Sequence, residues 1–169
     1  MKMKLFLKIN ILIFILINTS FANDKIVYLD INYILTNSEK GKIIFQQLDK
    51  KNKNNVLELE KKENILKSKE KNLEIKKNIL SESELKKQIE DLKIQIIQFK
   101  KEKEKLVKEF NNYKKKEISS LMQEINPIIS EYVKEKSIDL VLDKKNILIG
   151  KTSYDITSNV LVLVNTKLK

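Results

Sequence analysis

The chain of 169 residues has no cysteine, histidine, tryptophan or arginine, and only two glycines and one proline. Without cysteine there is no disulfide framework, no thiol nucleophile and no acceptor for lipidation after an export signal. Without histidine as well, zinc centres of the usual kind and a Ser-His-Asp triad cannot be assembled. Gly41 and Gly150 lie in neither a G-x-x-x-x-G-K-[ST] nor a G-x-G-x-x-G phosphate loop, which argues against a nucleotide-driven motor or kinase. Two carboxylates could hydrolyse a glycoside, but only in a cleft that fixes them, and a thin lysine-rich helix offers none. Every cation is a lysine, so the guanidinium fork that reads phosphate and guanine edges is missing and specific nucleic-acid recognition is poorly supported. No enzyme, no cofactor, no metal site and no nucleic-acid partner is expected.

What the chain does have is lysine: 34 of them against 23 acidic residues, a net charge of +11. Three, Lys2, Lys4 and Lys8, form a basic start to an apolar run that ends in Ser20-Phe21-Ala22, small residues at the −3 and −1 positions of a cleavage site. Residues 1–22 therefore read as a secretory signal peptide cleaved after Ala22. The alternative is an uncleaved anchor, but Leu5 to Ile17 is short against the ~20 apolar residues of a spanning helix. Cleavage removes three lysines and no acid, leaving 31 lysines and 23 acids, a net charge of +8. Such a balance attracts lipid head groups, lipopolysaccharide, acidic polypeptides or nucleic acid through one long-range field. Mixed lysine and glutamate are equally the ordinary solvated face of a long helix.

Residues 38–136 read as a slender helical arm. From Leu85 apolar residues alternate by four and three (Leu85, Ile89, Leu92, Ile96, Phe99, Leu106, Phe110, Tyr113), broken at Lys103, which is a 3.5-residue coiled-coil seam. The earlier half is weaker: Phe45, Leu59, Leu66, Leu73 and Leu80 share one seven-residue register, interrupted by Asn52, while the companion positions Glu63, Glu70 and Lys77 are charged. One continuous helix would reach ~130 Å, and a hairpin about half that. Ser81 and Glu84 have capping-box spacing and the register changes across them, so a hairpin with its tip near residues 81–84 is expected. Asn126 before Pro127 suits an N-cap and a first-turn proline, predicting a kink or restart there and an end near Lys136.

Two flanking pieces, residues 23–37 and 137–169, must then meet as a head. Ile26 to Ile31 is expected as its first strand. Ile138 to Leu142 and Ile147 to Ile149, joined by a turn at residues 143–146, read as a β-hairpin supplying the second and third. A last helix begins near Asp155 to Thr157, with one of those two capping and Ile156, Val160, Leu163 and Val164 on its apolar face. The expected fold is α+β, mostly α: a small β-strand head with a long antiparallel coiled-coil helical hairpin arm. A head this small buries too little surface to be secure alone, so oligomerisation is expected.

The sequence of landmarks resembles the Skp/OmpH-type periplasmic chaperones for outer membrane proteins. The likeness rests on the signal, Lys25-Ile26-Val27-Tyr28-Leu29-Asp30, Ser38-Glu39-Lys40-Gly41-Lys42, Ser137 to Asp143, Asp155-Ile156-Thr157 and Val160 to Asn165. It implies a homotrimer whose strands and short helices make a central trimerisation body, three helical arms around a cavity, and no enzymatic activity. The body is expected around Val27, Leu29, Leu140, Leu142, Val160 and Leu163. The expected function is that of an ATP-independent periplasmic holdase whose partners are unfolded outer membrane proteins and further copies of itself. Lipopolysaccharide or anionic lipid head groups are further candidate partners. No client-binding residue can be assigned from the pattern. The main rival is an exported coiled-coil spacer of the cell envelope without clients; a histone-like nucleic-acid binder is opposed by the signal.

Overall fold

The structure, a computed structural model, describes residues 24–168. The expected signal peptide and its cleavage after Ala22 lie outside the described residues. The order of elements is β1 (Ile26–Leu29), α1 (Ile31–Asn37), α2 (Glu39–Lys76), α3 (Glu82–Glu135), β2 (Leu140–Asp143), two 3₁₀ turns (Lys144–Asn146 and Thr152–Tyr154) and α4 (Thr157–Lys167). Among the described residues no helix is long and apolar enough to cross a membrane. The fold is mostly α with a small sheet, and α2 and α3 pack along each other as a long antiparallel hairpin.

The chain reverses between Lys76 and Glu82. Ser81 is the N-cap of α3: its hydroxyl accepts from the Glu84 amide, and the Glu84 carboxylate accepts from Ser81, closing a capping box. The reversal itself spans residues 77–81, so the Ser81-to-Glu84 segment opens the returning helix. That helix runs unbroken through Pro127, so of the expected kink or restart the restart does not occur. Asn126 is not a cap; its carbonyl accepts a hydrogen bond from the Ser130 hydroxyl at 3.0 Å. Ile125 and Ile128 are buried on either side, and their packing holds the proline inside the helix despite its missing N–H.

The sheet has two strands, parallel, with Ile26 opposite Leu140 and Leu29 opposite Asp143. The expected β-hairpin is absent and Ile147 to Ile149 is not a strand. Asp143 accepts from the Lys145 amide and starts a 3₁₀ turn in place of a two-strand connection. On the far side of β1, a bridge to Asp155 and the bond from Ile156 N–H to the Tyr28 carbonyl take up the strand edge. The first strand is also shorter than expected, because Asp30 accepts from the Tyr33 amide and caps α1.

The core lies at the base of the hairpin. Val27 and Leu29 from β1, Ile34 and Leu35 from α1, Ile44 and Leu48 from α2, and Leu121, Ile125, Ile128 and Tyr132 from α3 join Ile138, Ile156, Val160 and Val164. The root of the arm is thus part of the head, with side-chain caps fixing its outgoing end and a backbone closure its returning end. Ser38, wholly buried, caps α2 through the Gly41 amide at 3.1 Å, and Asn165 on α4 accepts from the Glu39 amide at 2.9 Å. At the other end Ser137, at φ 49°, sits in the left-handed region after α3. Its amide bonds Lys134 O at 3.2 Å and that of Ile138 bonds Val133 O at 3.0 Å, a Schellman closure with serine where glycine is usual. No side chain caps α4; Asp155 instead accepts from the Thr157 amide at 3.0 Å, and the Thr157 hydroxyl accepts from Asp30 N–H at 2.9 Å.

Candidate functional site

Two surfaces outside the core carry apolar side chains that a single chain leaves in water. One is the outer face of the sheet: Ile26, Leu140 and Leu142, with Leu148, Ile149 and Tyr154 from the loop beyond β2. Tyr28 belongs to this face as well but is covered, because its ring packs against Gly150 and its hydroxyl donates to Lys151 O at 3.1 Å. Of the residues expected in an oligomerisation body, Val27, Leu29 and Val160 are 5 % exposed or less and serve as intrachain core. Leu163 is half-buried, and Leu140 and Leu142 are exposed.

The other surface is the hairpin, where residues 39–135 carry 24 lysines and 18 carboxylates. Leu59, Leu66, Leu73, Leu80, Leu85, Leu92, Ile96, Phe99, Leu106, Phe110 and Tyr113 are half-buried between the helices, whereas Ile89 is exposed. The stripe departs from heptads. Between Phe99 and Tyr132 it steps through 102, 106, 110, 113, 117, 121, 125 and 128, nine steps in 33 residues, so Glu102 and not Lys103 occupies the seam. The mean of 3.67 residues per step is that of an eleven-residue repeat, close to the 3.6 of a straight helix.

The same repeat governs the contacts between the arms. Lys40 pairs with Glu124, the Lys51 ammonium lies 5.2 Å from the centre of the Tyr113 ring, and Lys62 pairs with Glu102. Each rung is eleven residues along from the last on both helices. A fourth, Lys69 to Gln95 at 2.6 Å, follows after seven. In every rung the outgoing helix supplies the cation and the returning helix the acceptor. Hydrogen bonds donated to Glu102 and Glu58 hold the Lys62 ammonium above its ordinary pKa, and Lys67 holds Glu63 below its own.

In the head, the 3₁₀ turns are tied down by charge. Lys144 bonds Asp155 at 2.8 Å, and this raises the pKa of the lysine. Partial burial pushes the Asp155 carboxyl up, but the bonds from Lys144 and Thr157 outweigh it and leave the group below its ordinary range. Asp143 is likewise lowered by Lys145, and Glu84 by the Ser81 hydroxyl and amide.

A small mixed head on a long helical hairpin defines an architectural class, and comparison places the chain within it. The family model for outer membrane protein (OmpH-like) matches residues 25–163, and the chain belongs to this family. Among solved structures it is similar to a protein from Caulobacter crescentus CB15 described as an OmpH-like outer membrane chaperone, with a TM-score of 0.75 at 20 % identity over 86 % of each chain. That likeness is one of fold. A comparison with curated proteins yields no match.

Proposed function

We propose that the protein is an ATP-independent holdase of the periplasm that binds unfolded outer membrane proteins between helical arms and keeps them from aggregating before insertion. The observation that carries this reading is the hairpin surface. Nine large apolar side chains of α2 and α3, from Ile43 to Val107, and Ile79 at the reversal stand in water among lysines. An unfolded client offers scattered apolar groups and charge, which such a surface meets through many weak contacts without demanding one sequence. Family membership and the signal sequence support the periplasmic setting. Capture and release are driven by competing equilibria, client folding in the membrane among them, since no phosphate loop is present to couple nucleotide.

The working form is a homotrimer, closed through the sheet face of Ile26, Leu140 and Leu142 together with Leu148 and Ile149. Leu148 and Ile149 are over 90 % exposed in the single chain, and adjacent apolar side chains so displayed mark a contact surface. Anionic lipid or lipopolysaccharide is a secondary partner through the lysine excess. Sedimentation velocity of the purified protein mixed with a urea-unfolded outer membrane barrel on dilution tests the reading. A soluble complex with one barrel per trimer is expected; a barrel that pellets as fast as it does alone refutes it and leaves an envelope spacer.

A further inference from the structure

The eleven-residue repeat gives the hairpin two chemically different edges. On α3 the seam residues Phe99, Phe110 and Leu121 are each followed three positions on by a rung acceptor, Glu102, Tyr113 and Glu124. Three positions before them stand Ile96, Val107 and Ile118. On α2 the seam residues Leu48 and Leu59 are followed by Lys51 and Lys62 and preceded by Phe45 and Val56. Three residues forward or back turn ~60° to opposite sides of a helix. Reversing one helix of an antiparallel pair keeps both forward positions on one edge, as the rungs require, and both backward positions on the other. One edge is therefore a polar ladder. The opposite edge is an apolar row, with Val56 and Val107 exposed and level with each other in the register.

The surroundings of that row select its occupant. Val107 lies in an open groove with Lys100, Lys103 and Lys108, in which Glu104 is the one acid. The ion pairs of this part of the arm engage Lys62, Lys67, Lys93 and Lys105 and leave Lys100 and Lys108 without a carboxylate among the described residues. The apolar positions of α3 recur every ~16 Å along the arm, about five residues of extended chain. A row one side chain wide at that interval suits an extended polypeptide; a bilayer would call for a continuous apolar face. The geometry points to the row centred on the exposed Val56 and Val107, flanked by the half-buried Ile96 and Ile118, as the client-contact edge, taking extended segments of unfolded polypeptide that carry apolar side chains beside carboxylates. This rests on the holdase reading and deepens it.

The test compares two double variants of the full chain, Val56→Gln with Val107→Gln, and Leu57→Gln with Ile97→Gln. The second pair is just as exposed, but it sits one residue along on α2 and one residue after Ile96 on α3, so it lies on neither edge. The probe is a fluorescein-labelled, urea-unfolded outer membrane barrel, read by anisotropy on dilution, with phosphatidylglycerol vesicles as a second arm and melting curves to confirm that both variants fold. The first variant should bind the barrel about fivefold more weakly and the second within about twofold of wild type. Equal losses, or a larger loss in the second, overturn the edge assignment while leaving the holdase standing. A loss by the first variant confined to vesicles assigns the edge to a lipid surface and overturns the proposal. Failure of the wild type to bind the barrel at all removes the holdase reading itself.

Discussion

Replacing Gly41 with alanine sets helix propensity against packing. In a helix interior the change ordinarily stabilises by ~1 kcal/mol, because glycine gives up more backbone freedom. Here the added Cβ would overlap the carbonyl oxygen of Leu35 and sit 2.7 Å from Ser38 Oγ and 2.9 Å from the Leu35 carbonyl carbon. Two of these obstacles are backbone, and Leu35 and Ser38 are buried, so neither can swing aside. Relief requires α1 to move off α2. Forcing an extra carbon into a packed site costs roughly 1–3 kcal/mol, and loss of the Ser38 cap adds ~1 kcal/mol. Set against the propensity gain, the variant should be less stable by about 1–3 kcal/mol. Urea unfolding followed by circular dichroism, at one protomer concentration and with Lys42→Ala as an exposed control on the same helix, measures this directly. A Gly41→Ala protein as stable as wild type would show that α1 does not approach α2 this closely.

Other substitutions probe the remaining joints. Ser137→Gly should stabilise by about 0.5–1 kcal/mol, since it relieves a left-handed serine without disturbing the Schellman bonds; a lower urea midpoint would contradict this. Asp155 has a lowered carboxyl pKa in the folded state, so its contribution is complete above the ordinary carboxylate range near ~4 and is lost as pH falls through the folded value. The wild type should therefore lose stability on acidification below about pH 4 more steeply than Asp155→Asn, whose Tm is lower at neutral pH; parallel curves would refute the role given to this group. Leu140→Asp should dissociate the proposed trimer yet leave a folded, helical protomer, because this side chain is nearly half exposed in the single chain; sedimentation equilibrium and circular dichroism would expose the error if the protomer unfolded.

Features written in single local signals were legible in the sequence. Ser81 with Glu84 marked the start of the returning helix, and the apolar spacing of α3 marked its inner face. Helix α1 was missed because Ile31 extends the β-like run, although Asp30 followed by Ile31, Ile34 and Leu35 is a cap with helical spacing. Ile147 to Ile149 looked like a strand because an apolar run is expected to be covered, yet within one chain Leu148 and Ile149 are left in water. Pro127 misled for the converse reason: burial of Ile125 and Ile128 outweighs one missing hydrogen bond. The heptads picked out Leu106, Phe110 and Tyr113 as well as Phe99, but they took in the exposed Ile89 and missed the step through Glu102, because a seven-residue template cannot register a stripe that advances by eleven. That repeat was present throughout, in Lys40, Lys51 and Lys62 and in Leu85, Ile96, Val107 and Ile118. Only the cross-arm contacts show that these rows belong to opposite edges.

The central claim is that the arms hold unfolded outer membrane proteins without nucleotide. Light scattering of a urea-unfolded outer membrane barrel diluted into buffer, with increasing protein and no ATP, addresses it most directly. The account predicts that scattering falls to baseline near one trimer per barrel. Scattering unchanged at several trimers per barrel would contradict it.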